Sequence, residues 1–284
     1  GEELYRKVEN AFRYGSADEG RLSPETLFGS VVDKLVPPPS LFAQVPSWGN
    51  AFLPETIRPR NWLVDRVLLF KAVTVLLASG SAGKSTFSLV LAAHLALGKT
   101  FAGHAVKTAC KSIIYNGEDD VEEQSRRLYA ICAAYELDYP TVRANILLLS
   151  ARELKLQLVS RDANRVAIKN DTVIHQLTEK CKEDGVGLLV LDPLVKVHQC
   201  DENDNVSMDL VMETLTDVAH NADVAVMVLH HTGKSSDQKQ EQRVGNPDIS
   251  RGASAIINKV RSSFTLLNAS EKDCADYGFQ DHER

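Results

Sequence analysis

Between Ala78 and Thr86 the chain reads Ala-Ser-Gly-Ser-Ala-Gly-Lys-Ser-Thr, small residues closed by one cation and two hydroxyls. An apolar run, Val75-Leu76-Leu77, leads into it, and a helical pattern follows. Strand, small-residue loop and helix in this order form a phosphate cradle: backbone N–H groups point inward and the helix start adds positive partial charge. On this spacing Ser79, Gly80, Ser81, Ala82 and Gly83 wrap the phosphates, with Thr86 at the start of the helix. Lys84 reaches the β and γ phosphates, and the Ser85 hydroxyl holds Mg²⁺. The pattern's usual first glycine is Ala78 here, which is acceptable if that residue keeps a negative φ.

A second carboxylate-bearing strand is legible further on. Gly187-Leu188-Leu189-Val190-Leu191 is apolar and ends in Asp192. Beside a phosphate cradle, such an acid orients a water on Mg²⁺, and Pro193 stops the strand directly after it. Three more polar groups stand at the ends or starts of apolar runs. Glu118 follows Tyr115-Asn116-Gly117 and precedes Asp119 and Asp120; His230 and His231 close a run from Ala225; Arg251 and Arg261 precede the last strand. Asp119 and Asp120 read as N-cap and first-turn acids of the following helix.

Something must hold these groups together. Strands are expected at 72–78, 112–116, 146–149, 187–191, 225–229 and 263–267, and helices at 84–96, 121–136, 172–183 and 207–221. The strands are continuous apolar runs, not alternating ones, as in strands covered on both faces of a parallel sheet. Strand–helix alternation gives an α/β, doubly wound, mostly parallel sheet flanked by helices, whose ligands lie at the carboxyl ends of the strands. Ahead of it, residues 1–35 have helical spacing and form a small N-terminal appendage. Residues 36–60, with Val36-Pro37-Pro38-Pro39, form an extended linker or strap, and 61–284 form the α/β domain.

Composition narrows the class. Of the 284 residues 44% are hydrophobic and 25% charged, enough apolar material for a large core. No run approaches the roughly 18 apolar residues of a membrane span, and the start lacks a secretory pattern, so the expected location is cytoplasmic. Gly1 in place of Met points to a processed or excised chain. The net charge of −6 argues against a surface coated with basic residues, though not against a local basic channel. The five cysteines form no C-x-x-C pair, which makes zinc or a disulfide framework a poor reading and inert thiols the better one.

Taken in order, the phosphate loop, Glu118, Asp192, the histidine pair and Arg251-Gly252-Ala253-Ser254 resemble the RecA-like ATPases, and within them the RepA-type hexameric replicative helicases of plasmids and their phage relatives. The resemblance spans roughly residues 58–270, including Arg58-Pro59-Arg60-Asn61-Trp62, His198 and Glu202-Asn203-Asp204-Asn205. It implies ATP and Mg²⁺ as cofactors. It makes Glu118 the group that polarises the attacking water, and His231 the γ-phosphate sensor with His230 as the alternative. Arg261 becomes a finger acting on a neighbouring subunit, assisted by Lys259 on the same strand face. Arg251 would serve the same nucleotide or clamp its loop.

The implied assembly is a homo-oligomer, a hexameric ring, with single-stranded DNA in a channel loop. Lys234, Lys239 and Arg243 are the candidate contacts, and no aromatic residue lies among them to stack bases. Arg161, Arg165 and Lys169 read as a solvated loop. The expected activity is ATP hydrolysis by a DNA helicase of a plasmid, phage or mobile element. A RecA-like recombination or repair ATPase, and a nucleotide-dependent switch or scaffold, stay open as alternatives. Glu118 and Arg261 favour an enzyme that turns over. Little sequence remains after Leu267 for the family's closing strands.

Overall fold

The computed structural model describes residues 57–80, 82–231, 253–269 and 271–278. Pro59–Arg284 forms one compact unit. The expected appendage at 1–35 and the strap up to residue 56 lie outside the described residues.

Six parallel strands make the central sheet. They are β3 (Val73–Ala78), β4 (Lys111–Asn116), β5 (Ile146–Ser150), β8 (Val186–Asp192), β9 (Ala225–His231) and β10 (Ser262–Leu266), in the spatial order β10-β3-β9-β8-β4-β5. This is the parallel α/β sheet expected from the sequence. The strand carrying the phosphate loop is separated from the strand ending in Asp192 by β9 alone. Every residue of β3 and β8 is buried, which is why their sequences show no polar alternation.

Side chains leave each strand in turn to two faces, and two apolar layers result. Val73, Val75 and Leu77 meet the helices α4 (Asp171–Asp184) and α5 (Asn205–Asn221) through Leu177, Met208, Met212 and Leu215. Leu76, Ile114, Leu188 and Met227 meet α1 (Lys84–Ala96) and α2 (Val121–Ala134) through Leu91, Leu95 and Leu128 on the opposite face. The fold is doubly wound.

Smaller elements are not legible in the sequence. An antiparallel pair β1 (Trp62–Val64) and β2 (Leu68–Leu69) precedes the sheet, and α3 (Tyr139–Ala144) follows α2. The basic stretch expected as a solvated loop is a hairpin instead, β6 (Val159–Arg161) with β7 (Ala167–Lys169). Lys169 is tied there to Glu213 and Asp217 of α5, each at 3.0 Å. Two short helices, α6 (Ala253–Lys259) and α7 (Glu271–Tyr277), flank β10. Lys259 therefore ends a helix and pairs with Asp209 at 3.0 Å, so it does not share a strand face with Arg261. No described helix is long and apolar enough to cross a membrane.

Candidate functional site

The carboxyl ends of β3, β4, β8 and β9 converge on one place. At the end of β3 the loop turns into α1 through Gly83, whose φ of 83° is open to glycine at no steric cost. Ala78 is not among the positive-φ residues, so alanine in the first loop position is tolerated. Gly83 caps α1 without a side-chain hydrogen bond, and the first turn holds no acidic residue. The leading N–H groups of α1 are thus left for an anion. Ser81 lies outside the described residues.

Lys84 is 6% exposed and makes no ion pair among the described residues. Its Nζ donates to the carbonyls of Ser79 at 2.9 Å and Ala78 at 3.4 Å, and meets His231 Nδ1 at 3.2 Å. Burial pulls its pKa below the usual lysine range, opposed in part by the charges of Asp192 and Glu118. A buried ammonium lined by carbonyls and an imidazole suits an anionic ligand, and phosphate is one. Ser85 Oγ donates to Asp192 Oδ2 at 2.5 Å. Burial pushes the Asp192 carboxyl up first; the Ser85 hydrogen bond, Lys84 and His231 pull it back, while Glu118 adds to the rise. A hydroxyl and a carboxylate in contact beside the cradle fit a hard divalent cation with its waters.

Glu118 is aimed by the residue two places before it. Asn116 Oδ1 accepts the N–H groups of Glu118 and Asp119, each at 2.8 Å, a turn that ends β4 and carries the glutamate out over the sheet. The Gly117 N–H donates to the Asp192 carbonyl at 2.6 Å, locking the two acid-bearing strand ends together. A Cβ on Gly117 would collide with the stem of Lys196, so the close crossing favours glycine. Asn116 and Gly117 carry no sequence expectation, although an asparagine two residues before an acid at a strand end signals such a turn.

The acids after Glu118 divide their work. Asp120, expected in the first turn, is itself the cap of α2 and accepts the Glu123 N–H at 2.8 Å. Asp119, expected as the cap, stands one residue before it and pairs with Arg127 at 3.0 Å. Of the histidines, His231 lies at the site, its Nε2 3.6 Å from Glu118 Oε1. His230 is buried on the other side of β9.

Arg261 does not join this group. It is exposed beside Val73, where its N–H meets the Val73 carbonyl at 3.4 Å, at the amino end of the sheet. At about 3.3 Å per residue that is about 16 Å from the phosphate loop of its own chain. Arg251, Lys234, Lys239 and Arg243 lie outside the described residues.

Away from the site, burial raises the thiols of Cys110 and Cys181 to about 11, which keeps them unreactive. Burial also drives His198 and His230 down to about 4 from 6.5. Unfolded, both rings take a proton near pH 6.5; folded, they stay neutral until about pH 4. Their contribution to stability is therefore present above pH 6.5 and lost as pH falls towards 4, on the order of 3 kcal/mol per ring. The urea midpoint is expected to drop clearly between pH 7.5 and pH 5; a midpoint that does not move contradicts the assignment.

A family model described as an AAA domain matches residues 37–237. It includes the phosphate loop, Glu118, Asp192 and both histidines, and stops short of Arg251 and Arg261. Among solved structures, the chain is similar to an ATPase domain at 15% identity, over 75% of this chain and 72% of that one, with a TM-score of 0.49.

Proposed function

The chain belongs to this AAA-domain family, and on that premise we propose that it hydrolyses ATP as one subunit of a ring-forming motor, a DNA helicase of the RepA type serving plasmid, phage or mobile-element replication. The observation that carries the hydrolytic reading is the convergence of Lys84, Ser85, Glu118, Asp192 and His231 at the carboxyl end of one sheet. Lys84 takes the β and γ phosphates as its counter-charge. Ser85 and Asp192 would hold Mg²⁺, which neutralises phosphate charge when bound. Glu118 accepts a proton from the water whose oxygen attacks the γ phosphorus. The bond from that phosphorus to the bridging oxygen breaks, and ADP and inorganic phosphate leave. His231 lies between Lys84 and Glu118, where a γ phosphate would come to rest, and so distinguishes ATP from ADP.

Arg261 supports the ring. In a head-to-tail ring, unlike surfaces of neighbouring copies meet. An exposed arginine at the amino end of one sheet can then face the phosphates at the carboxyl end of the next, whereas its own are out of reach. Arg251 is assigned to the same boundary, and Lys239 and Arg243 to single-stranded DNA in the channel.

Subunit mixing tests this. Arg261→Ala is expected to bind nucleotide normally yet hydrolyse at least about a thousandfold more slowly, the scale of arginine fingers in phosphoryl transfer. Mixed with Lys84→Ala protein it should regain measurable activity, because a Lys84→Ala subunit lends its intact Arg261 to an intact phosphate loop. No recovery in demonstrated mixed oligomers would make Arg261 a residue of its own chain's structure.

A further inference from the structure

The Glu118 side chain is 61% exposed, and among the described residues its carboxylate makes no hydrogen bond, only the 3.6 Å approach to His231. Its aim is therefore set by its backbone. On one side the Gly117 N–H is tied to the Asp192 carbonyl. On the other, Asp119 is held at three points: its N–H by Asn116 Oδ1 at 2.8 Å, its carboxylate by Arg127 at 3.0 Å, and its carbonyl by Ser150 Oγ at 2.9 Å. Glu118 is a one-residue span between two pinned neighbours.

Ser150 comes from the edge of the sheet. It is the last residue of β5, opposite Asn116, and β5 pairs with β4 alone. Four apolar residues precede it, yet Ser150 is only 1% exposed. A buried hydroxyl needs partners, and this one has two. A carbonyl only accepts, so the hydroxyl donates to Asp119, and it accepts the Arg152 N–H at 3.3 Å. The strand end is itself fixed. The Ala151 N–H donates to the Asn116 carbonyl at 2.8 Å, and the buried Gln124 of α2 donates to the Leu149 carbonyl at 3.1 Å. Arg152 reaches back from the same strand end and donates to the Glu118 carbonyl at 3.3 Å.

We propose that Ser150 is a positioning residue for the proton acceptor: from the edge strand its buried hydroxyl pins Asp119, and so holds Glu118 in place beside His231. This rests on the reading of Glu118 as the group that takes the proton of the attacking water. Ser150 touches no reacting atom. A displacement of about 1 Å at such a site can cost about a hundredfold in rate, so a hold on the backbone matters as much as the carboxylate itself.

Two measurements on the full chain test this. Without nucleotide, NMR reads how fast each backbone N–H exchanges with water. In Ser150→Ala the Glu118 and Asp119 N–H groups are expected to exchange about tenfold faster, with those of Ile113 to Tyr115 unchanged. In turnover, Ser150→Ala should lower kcat for ATP about tenfold, with ADP affinity within about twofold. Placed on Glu118→Gln, the same change should lower kcat no further, because a residue that acts only through the base has nothing left to position. Unchanged exchange at Glu118 and Asp119 overturns the proposal, as does a parent kcat in Ser150→Ala. A tenfold loss repeated in the Glu118→Gln protein also overturns it, since Ser150 would then act on the fold at large. A parent without hydrolysis, or a Glu118→Gln protein at parent kcat, overturns the functional reading instead, on which the exchange rates do not depend.

Discussion

Lys84→Ala protein is expected to fold as the parent does, to bind ATP at least about a hundredfold more weakly, and to release no measurable phosphate. Lys84 sits in the cradle at a cost: its ammonium is desolvated and meets carbonyls and an imidazole instead of a carboxylate. Removing it relieves that cost in the free protein, so the melting temperature should hold or rise. With phosphates present the same ammonium makes charge-assisted hydrogen bonds, each worth roughly 1.5–3 kcal/mol, and these are what the variant lacks. Titration with a fluorescent nucleotide and a phosphate-release assay check the two halves. Parent-level hydrolysis by the variant would remove the loop from the site.

Glu118→Gln should part affinity from turnover. The amide keeps the shape and the contact with His231 but gives up nearly all proton affinity. ATP affinity is expected within about threefold of the parent, and kcat lower by at least about a hundredfold, the scale of a positioned base. Asp119 is poorly placed to substitute, since Arg127 already holds it at 3.0 Å. A variant with parent kcat would move the proton acceptor to another group.

The parts of this site differ in how far the sequence exposes them, for physical reasons. The phosphate loop is local: its residues are consecutive and its chemistry depends on backbone N–H groups, so spacing alone reveals it. Asp192 and the strand of Glu118 are legible because strands buried on both faces must be apolar throughout, and an acid at the end of such a run stands out. The whole central sheet follows from the same rule, with boundaries within a residue or two. What stays hidden depends on contacts between distant segments. The Gly117–Asp192 tie joins two strand ends far apart in the chain, and the Ser150–Asp119 hydrogen bond joins a strand end to a distant turn. Lys259 is misplaced by the sequence because the seven residues of α6 have neither the length nor the capping pattern that marks a longer helix. Arg161 and Lys169 look like solvated charges because the acids that hold Lys169 lie on α5, more than forty residues onward.

On the proposed reading the chain hydrolyses ATP at this site as a DNA-dependent motor. Steady-state phosphate release with Mg²⁺ and saturating ATP, measured with and without single-stranded DNA and beside the particle mass under the same conditions, tests it most directly. Hydrolysis by an oligomer is expected, accelerated by the DNA and absent in Lys84→Ala. No hydrolysis by the parent oligomer, with or without DNA, would contradict it and leave a nucleotide-binding switch in its place.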